Sequence, residues 1–225
     1  MDRKIIVTGD NSKTLLIPHL NETYHSTHGA FNEAMHVFIQ HGLRYAEGKG
    51  GTLKILEMGL GTGLNALLTS IHAKNSVEYT ALEKYPLAIA TVNELSFKTI
   101  INNNEVEEFL TELHNAPWDG LTKINSTFQL KKINADLIEI DLKPKEYDLI
   151  YFDAFGPRVQ PDLWTKEIMV KLYKSLKSGG TLVTYCAQGQ FKRNLKSAGF
   201  IVESLPGPPG KREMTRAIKT EKNNH

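Results

Sequence analysis

The sequence has one cysteine, Cys186, in 225 residues. A single thiol excludes an internal disulfide framework and makes a reducing compartment, the cytoplasm, the expected setting. Long apolar runs are also missing. Stretches such as Leu53 to Met58 fall far short of the ~20 residues a membrane helix needs. The opening Met-Asp-Arg-Lys-Ile-Ile-Val lacks the apolar core of a secretory signal. There is no internal repeat and no low-complexity segment. No charge of one sign dominates: 27 basic against 25 acidic side chains leave +2, which decides nothing about nucleic acid. Five histidines gather between positions 19 and 41 (His19, His25, His28, His36, His41). No acidic or cysteine partner completes a ligand set there, so no metal is expected.

Hydrophobic residues make up 40 % and charged residues 23 %. That is a globular composition, neither disordered nor fibrous. The length suits one medium α/β domain with an appendage, large enough to be stable without disulfide or metal. The charge is unevenly spread. Residues 191–225 hold eight basic side chains (Lys192, Arg193, Lys196, Lys211, Arg212, Arg216, Lys219, Lys222) and three acidic ones (Glu203, Glu213, Glu221). This segment is therefore basic and the body before it mildly acidic.

Residues 1–51 read as an N-terminal extension packing on a catalytic domain of residues 52–225. Ile5-Ile6-Val7 and Leu15-Leu16-Ile17 flank Gly9-Asp10-Asn11, a hairpin pattern. Apolar residues from Ala30 to Arg44 have helical spacing, and Gly48-Lys49-Gly50-Gly51 is a joint. From Leu53 strands alternate with helices, which predicts a mainly parallel sheet. Strands are expected at 53–58, 77–82, 127–133, 147–152, 181–185, 200–204 and 215–218. Helices are expected at 64–72, from Pro86, at 161–176 ended by Gly179-Gly180, and at 190–198 stopped by Gly199. Residues 96–120 read as mostly helical and polar.

Glu57-Met58-Gly59-Leu60-Gly61-Thr62-Gly63 carries the strongest chemical signal, because it follows a strand and precedes a helix. Glycines let the backbone turn sharply near a ligand, and the helix N-terminus offers free N–H groups. A dinucleotide fingerprint wants glycine at position 64, where Leu64 stands. A nicotinamide-dependent oxidoreductase is thereby disfavoured. The glycine at 63, with Glu57 ahead of the turn, resembles the first motif of class I S-adenosylmethionine (SAM) methyltransferases. Glu83 ends the second strand, where a carboxylate can accept hydrogen bonds from a ribose diol. Asp136, with Asp141 as an alternative, follows the third strand, and the resemblance to methyltransferases implies an acid there that meets the adenine amino group. Asp153-Ala154-Phe155-Gly156-Pro157 follows the apolar fourth strand, at the end of the sheet where ligands bind. Asp153 is suited to hold an amine, with Phe155 and Pro157 as walls. Trp164 reads either as a stacking platform for an extruded base or as a core aromatic. Lys211 and Arg212, after a Pro/Gly loop, are candidate phosphate contacts.

Six segments resemble the methyltransferase domain of the bifunctional MnmC family of tRNA wobble-uridine enzymes. They are Glu22-Thr23-Tyr24-His25-Ser26, Glu57 to Asn65, Tyr151 to Pro157, Pro161-Asp162-Leu163-Trp164-Thr165, Thr184 to Ala187 with Gly189, and Gly210-Lys211-Arg212-Glu213-Met214. The resemblance implies a Rossmann-like fold with SAM as cofactor. It also implies tRNA as substrate: N-methylation of 5-aminomethyl-2-thiouridine to 5-methylaminomethyl-2-thiouridine. Tyr24, Glu57, Gly59, Gly61, Gly63, Asn65, Glu83, Asp136 and Asp153 would hold SAM, with Asp153 also catalytic. Phe155, Pro157, Trp164, Lys211 and Arg212 would meet the substrate. Larger family members carry an FAD-dependent oxidoreductase domain, for which 225 residues leave no room. The alternative readings are a methyltransferase or aminopropyltransferase acting on a small amine, and a SAM- or tRNA-binding module without turnover.

Overall fold

The computed structural model describes residues 3–101, 103 and 105–220. Glu221 and Lys222 of the basic segment lie outside the described residues. The hairpin is present. β1 (Lys4–Val7) pairs antiparallel with β2 (Lys13–Ile17), and β2 with the short β3 (Glu22–Thr23). Asp10 closes the turn, its Oδ1 accepting from the Thr8 hydroxyl (2.7 Å) and the Ser12 amide (3.1 Å). The predicted helix follows as α1 (Ala30–Ala34), a wider π-helical stretch over Met35–Leu43, and α2 (Arg44–Ala46). This segment packs on the main sheet. A Cβ on Gly42 would stand 2.9 Å from Val183 Cγ2 and 3.1 Å from Tyr151 Cε1. The bare glycine is what permits that approach.

The main sheet has eight strands: β4 (Leu53–Met58), β5 (Val77–Leu82), β6 (Leu121–Lys123), β7 (Phe128–Ile133), β8 (Tyr147–Phe152), β9 (Leu176–Thr184), β10 (Ile201–Pro206) and β11 (Glu213–Ile218). Their spatial order is β10-β11-β9-β8-β4-β5-β7-β6. The strands β9, β8, β4, β5 and β7 run parallel, while β11, β10 and β6 are antiparallel additions at the two edges. The helices α3 (Leu64–His72), α4 (Ile89–Leu95), α5 (Val106–Asn115), α6 (Lys166–Ser175) and α7 (Gly189–Ser197) lie between them in sequence.

Strand alternation divides the core into two clusters. Ile55, Leu149, Tyr151 and Val183 face Val37, Phe38, Leu67 and Leu113. Leu56, Ile150, Phe152 and Leu182 face Ile168, Met169, Leu172, Phe191 and Leu195. Both faces of β8 are therefore covered, which its continuous apolar sequence requires. The first cluster also takes in Leu15 and Ala30, so the N-terminal segment shares the apolar core of the main sheet. No helix among the described residues is long and apolar enough to cross a membrane.

Four expectations need correction. The helix predicted at Pro86 begins at Ile89, after an extended Ala88, because residues 83–85 bend around the Glu83 carboxylate, whose Oε1 accepts from the Tyr85 amide (2.7 Å). The helix predicted from Pro161 is a short turn, Pro161–Trp164, followed by α6, whose N-terminus is capped by Thr165 accepting from the Ile168 amide. Gly179 and Gly180 do not end α6. They lie inside β9, at an irregularity in its pairing with β8 where Gly179 has φ 71°. Residues 96–120 are mostly helical as expected, with a short turn at Phe97–Thr99 and α5 among the described residues, but Phe97, Val106 and Leu113 are buried although the segment reads as polar.

Candidate active site

β4 lies between β5 and β8, so chain order reverses direction across it. Ligands of open parallel sheets bind at such a switch point, beyond the strand carboxyl ends. The glycine turn follows β4, Glu83 follows β5, Asp136 lies just beyond β7, and Asp153 follows β8. They surround a cleft of about 410 Å³, within the range usual for small-molecule sites.

The turn is built for close approach. Gly59 has φ 86° and Gly61 φ 51°. A Cβ on Gly59 would meet the Asp153 carbonyl oxygen at 3.2 Å, and one on Gly61 the Tyr24 ring at 3.2 Å. Gly63 stands at the N-cap of α3. Glu83 Oε2 accepts from the Gly61 amide (3.0 Å), which ties the turn to the strand end. Tyr24 covers the turn from the N-terminal sheet, edge to face with Phe155 at 5.4 Å. His25 also lines the cleft. Its ring bridges Thr14 (2.9 Å) and Thr62 (3.2 Å). Burial holds its pKa down to about 4, against a small upward pull from Asp10.

Beneath the turn lies a polar cluster. Asn65 Nδ2 donates to Glu57 Oε1 (3.0 Å) and to Asp153 Oδ2 (2.8 Å). Glu57 is fully buried. Its remaining oxygen, and Asn65 Oδ1, have no hydrogen-bond partner among the described residues. Desolvation first, and then the nearby Asp153 charge, push the Glu57 pKa well above the carboxylate range, against the Asn65 hydrogen bond. Asp153 is raised likewise, first by burial and then by Glu33, against Asn65 and Lys211. A carboxylate so placed is a stronger proton acceptor than one in water.

The loop after Asp153 is held at both backbone groups of Phe155. Its amide donates to Gln160 Oε1 (3.0 Å), and its carbonyl accepts from Trp164 Nε1 (2.9 Å). The Phe155 ring is thereby presented to the cleft. Asp136 lines the cleft while paired with Lys84 (2.6 Å). Its turn is anchored from below by the Lys171 ammonium, which donates to the carbonyls of Leu137, Ile138 and Ile140.

Tyr24, Gly59, Gly61, Asn65, Glu83, Asp136, Asp153 and Phe155 thus share one cleft. Glu57 lies under it, and Pro157 sits in the turn beyond Phe155. Trp164 is corrected: it is 4 % exposed and packed edge-on against Phe152 and Phe191, so no face is open to a base. Lys211 is corrected too. It pairs with Glu33 and lies 4.0 Å over the Tyr185 ring, which leaves Arg212 as the exposed cation of that pair of residues. Glu33 and Lys171 escape a sequence reading, since each acts through a partner far along the chain with no local motif to mark it. Tyr185 lies in one of the six resembling segments, but its bond to the Ala154 carbonyl exists only in the fold.

SAM fits this site on the structure's own terms. Side chains at Gly59 and Gly61 would crowd the Asp153 carbonyl and the Tyr24 ring at the cleft, and unpartnered polar atoms of Glu57 and Asn65 lie beneath it. Among the described residues no cluster of three or more His, Cys, Asp or Glu is set to hold a metal.

Comparison with known proteins agrees. A family profile described as S-adenosyl-L-methionine-dependent methyltransferase matches residues 99–220. A Burkholderia pseudomallei protein named tRNA 5-methylaminomethyl-2-thiouridine biosynthesis bifunctional protein MnmC is 31 % identical over 222 residues, covering 89 % of this chain and 33 % of that protein. The chain thus spans about a third of the length of the curated relatives it matches. The crystal structure of MnmC2 from Aquifex aeolicus superposes with a TM-score of 0.76 at 26 % identity, over 96 % of this chain and 70 % of that one. Spermidine synthase from Thermotoga maritima, at 16 % identity with a TM-score of 0.62 over 96 % and 68 %, shares the fold alone. With the profile covering more than half of the sequence, and a glycine turn, a strand-end Glu83 and a buried carboxylate cluster assembled around one cleft, the chain belongs to the S-adenosyl-L-methionine-dependent methyltransferase family.

Proposed function

We propose that this protein methylates the exocyclic amine of 5-aminomethyl-2-thiouridine at the tRNA wobble position, giving 5-methylaminomethyl-2-thiouridine. The observation that carries the reading is Asp153, a carboxylate of raised pKa at the edge of the donor cleft, held by Asn65 in one orientation. The names of the MnmC relatives support the nucleoside. When bound, SAM supplies an electrophilic methyl group, which passes to the amine nitrogen as the carbon–sulfur bond electrons leave with sulfur.

The chain's own residues do the rest. Glu83 and the backbone of the glycine turn would hold the donor's ribose, and Asp136 its adenine. Glu57 keeps Asn65 aimed at Asp153. An aliphatic ammonium has no free electron pair and cannot attack. Asp153 takes a hydrogen bond from the amine and accepts the proton it must lose, a transfer helped by its raised proton affinity. Phe155 and Tyr24 wall the site and exclude water. Most of the rate gain on this reading is positioning.

The test is incubation with methyl-labelled SAM and tRNA that lacks the final methyl, followed by nucleoside analysis. Label on a wobble 5-methylaminomethyl uridine supports the reading. Label on another nucleoside, or none, overturns it. Asp153→Asn should keep SAM affinity within about threefold and cut turnover at least ~100-fold, the usual scale for losing a proton acceptor.

A further inference from the structure

The sequence suggests Lys211 as a phosphate contact, yet the structure turns it inward. The loop that carries it is folded tightly on itself. The Gly207 amide donates to the Arg212 carbonyl (3.1 Å) and the Lys211 amide to the Pro208 carbonyl (2.9 Å). Pro206, at its base, accepts from His36 Nε2 (2.8 Å). A Cβ on Gly210 would run into the His28 ring, so the loop is seated directly on the N-terminal segment. At its end the Lys211 ammonium pairs with Glu33 on α1 and lies on the Tyr185 ring. Glu33 is itself buried, 8 % exposed. The Tyr185 hydroxyl donates to the carbonyl of Ala154 (2.9 Å), the residue after Asp153. One lysine, a buried acid and a tyrosine thus form a chain of contacts that ends on the backbone next to Asp153.

We propose that Lys211 and Glu33 are positioning residues for Asp153: their ion pair, anchored on Tyr185, sets the charge that the carboxylate carries when the amine arrives, and it makes no contact with RNA phosphate. The carboxylate takes a hydrogen bond from Asn65 on α3, and the groups that act on it electrostatically are Glu57 on β4, Glu33 on α1, Lys211 on the β10–β11 loop, and the Tyr79 and Tyr185 hydroxyls of β5 and the end of β9. Lys211 is the cation among them. It lowers the proton affinity that Glu33 raises, so losing Lys211 shifts Asp153 toward the protonated form and losing Glu33 toward the ionised form. The inference rests on the proposed role of Asp153, so its test reads Asp153 directly as well as through turnover.

The carboxyl carbon of Asp153, identified by its loss in Asp153→Asn, is titrated by carbon-13 NMR in the full chain without ligands. Lys211→Met is expected to raise the midpoint by about one pH unit and Glu33→Gln to lower it by a similar amount, the shift a close charge produces. Lys211→Arg should stay near wild type. Lys211→Met/Glu33→Gln, which leaves no unpaired buried charge, should fall between the single variants and guards against misfolding of either. The acid limb of the kcat profile should move in the same order. Unmoved midpoints, or both single variants moving the same way, overturn the proposal. So does a Lys211→Met enzyme whose tRNA KM loses about one unit of salt slope, the mark of a lost phosphate contact. A wild-type protein that leaves tRNA unlabelled but keeps the midpoint order supports the positioning role and removes the proposed substrate.

Discussion

Asn65 joins two like charges. Its Nδ2 gives one hydrogen to Glu57 and one to Asp153, and an amide can do this at neutral cost where an aspartate would add a third carboxylate. Asn65→Leu is expected to lower stability by about 1–3 kcal/mol, because two buried acceptors lose their donor; urea unfolding would measure it. Asn65→Asp should lose more stability at alkaline than at acid pH, since the added charge repels both neighbours only when ionised. Glu57 and Asp153 are legible in the sequence because each ends a strand at a motif. The bridge between them is not, since positions 65 and 153 are brought within 2.8 Å only by folding. Lys211 makes the same point in reverse. Its sequence neighbours suggest solvent, and a partner on a distant helix decides otherwise.

At the scale of elements, strand alternation and punctuation by glycine are strong local signals. The ranges 53–58, 64–72, 77–82 and 147–152 expected from pattern are those found. Helix starts at prolines are weaker, because proline tolerates a first turn without requiring a helix after it. Pro86 follows a bend closed by the Glu83 carboxylate, and Pro161 opens a short turn that stops before the Thr165 cap. The glycine turn depends on its backbone. Gly61→Ala should cost about 1–2 kcal/mol from the left-handed conformation at φ 51° alone, and it should weaken SAM binding further because the new methyl presses on Tyr24. Calorimetric SAM titration with thermal melting would separate the two effects. Trp164→Phe removes the donor to the Phe155 carbonyl. It is expected to cost about 0.5–1.5 kcal/mol and to raise the substrate KM more than it lowers kcat, since it loosens a wall and leaves Asp153 untouched.

Across the whole molecule, stability on the acid side of neutrality reflects opposing groups: His25 loses its contribution as pH falls, while Glu57 and Asp153, both raised, favour the folded state as they protonate. His25 titrates at about 4 in the folded chain against 6.5 unperturbed, so the unfolded chain binds its proton more readily. The stabilisation is complete above pH 6.5 and is lost progressively as pH falls through about 4. The His25 share is read as the melting-temperature difference between wild type and His25→Gln, which should move against the wild type as pH falls from 7.5 to 4. A difference that does not change with pH would mean that His25 is solvated. Ionic strength offers a second whole-molecule measurement. The proposed tRNA reading requires a tRNA KM that climbs steeply with salt, while the SAM KM should stay nearly constant because SAM brings no phosphate chain whose counterions are released.

The sequence by itself determined the class of the protein. Strand period, glycine spacing and the Asp153-Ala154-Phe155-Gly156-Pro157 segment are local, and local pattern fixes which elements form and which strand ends meet a ligand. Only the tertiary structure decided how charge is distributed around that ligand. Burial and pairing depend on residues far apart in the chain, such as Glu33 with Lys211 or Lys171 with the carbonyls of residues 137–140. Desolvation, which pushes Asp153 and Glu57 upward, exists only once both faces of the sheet are covered.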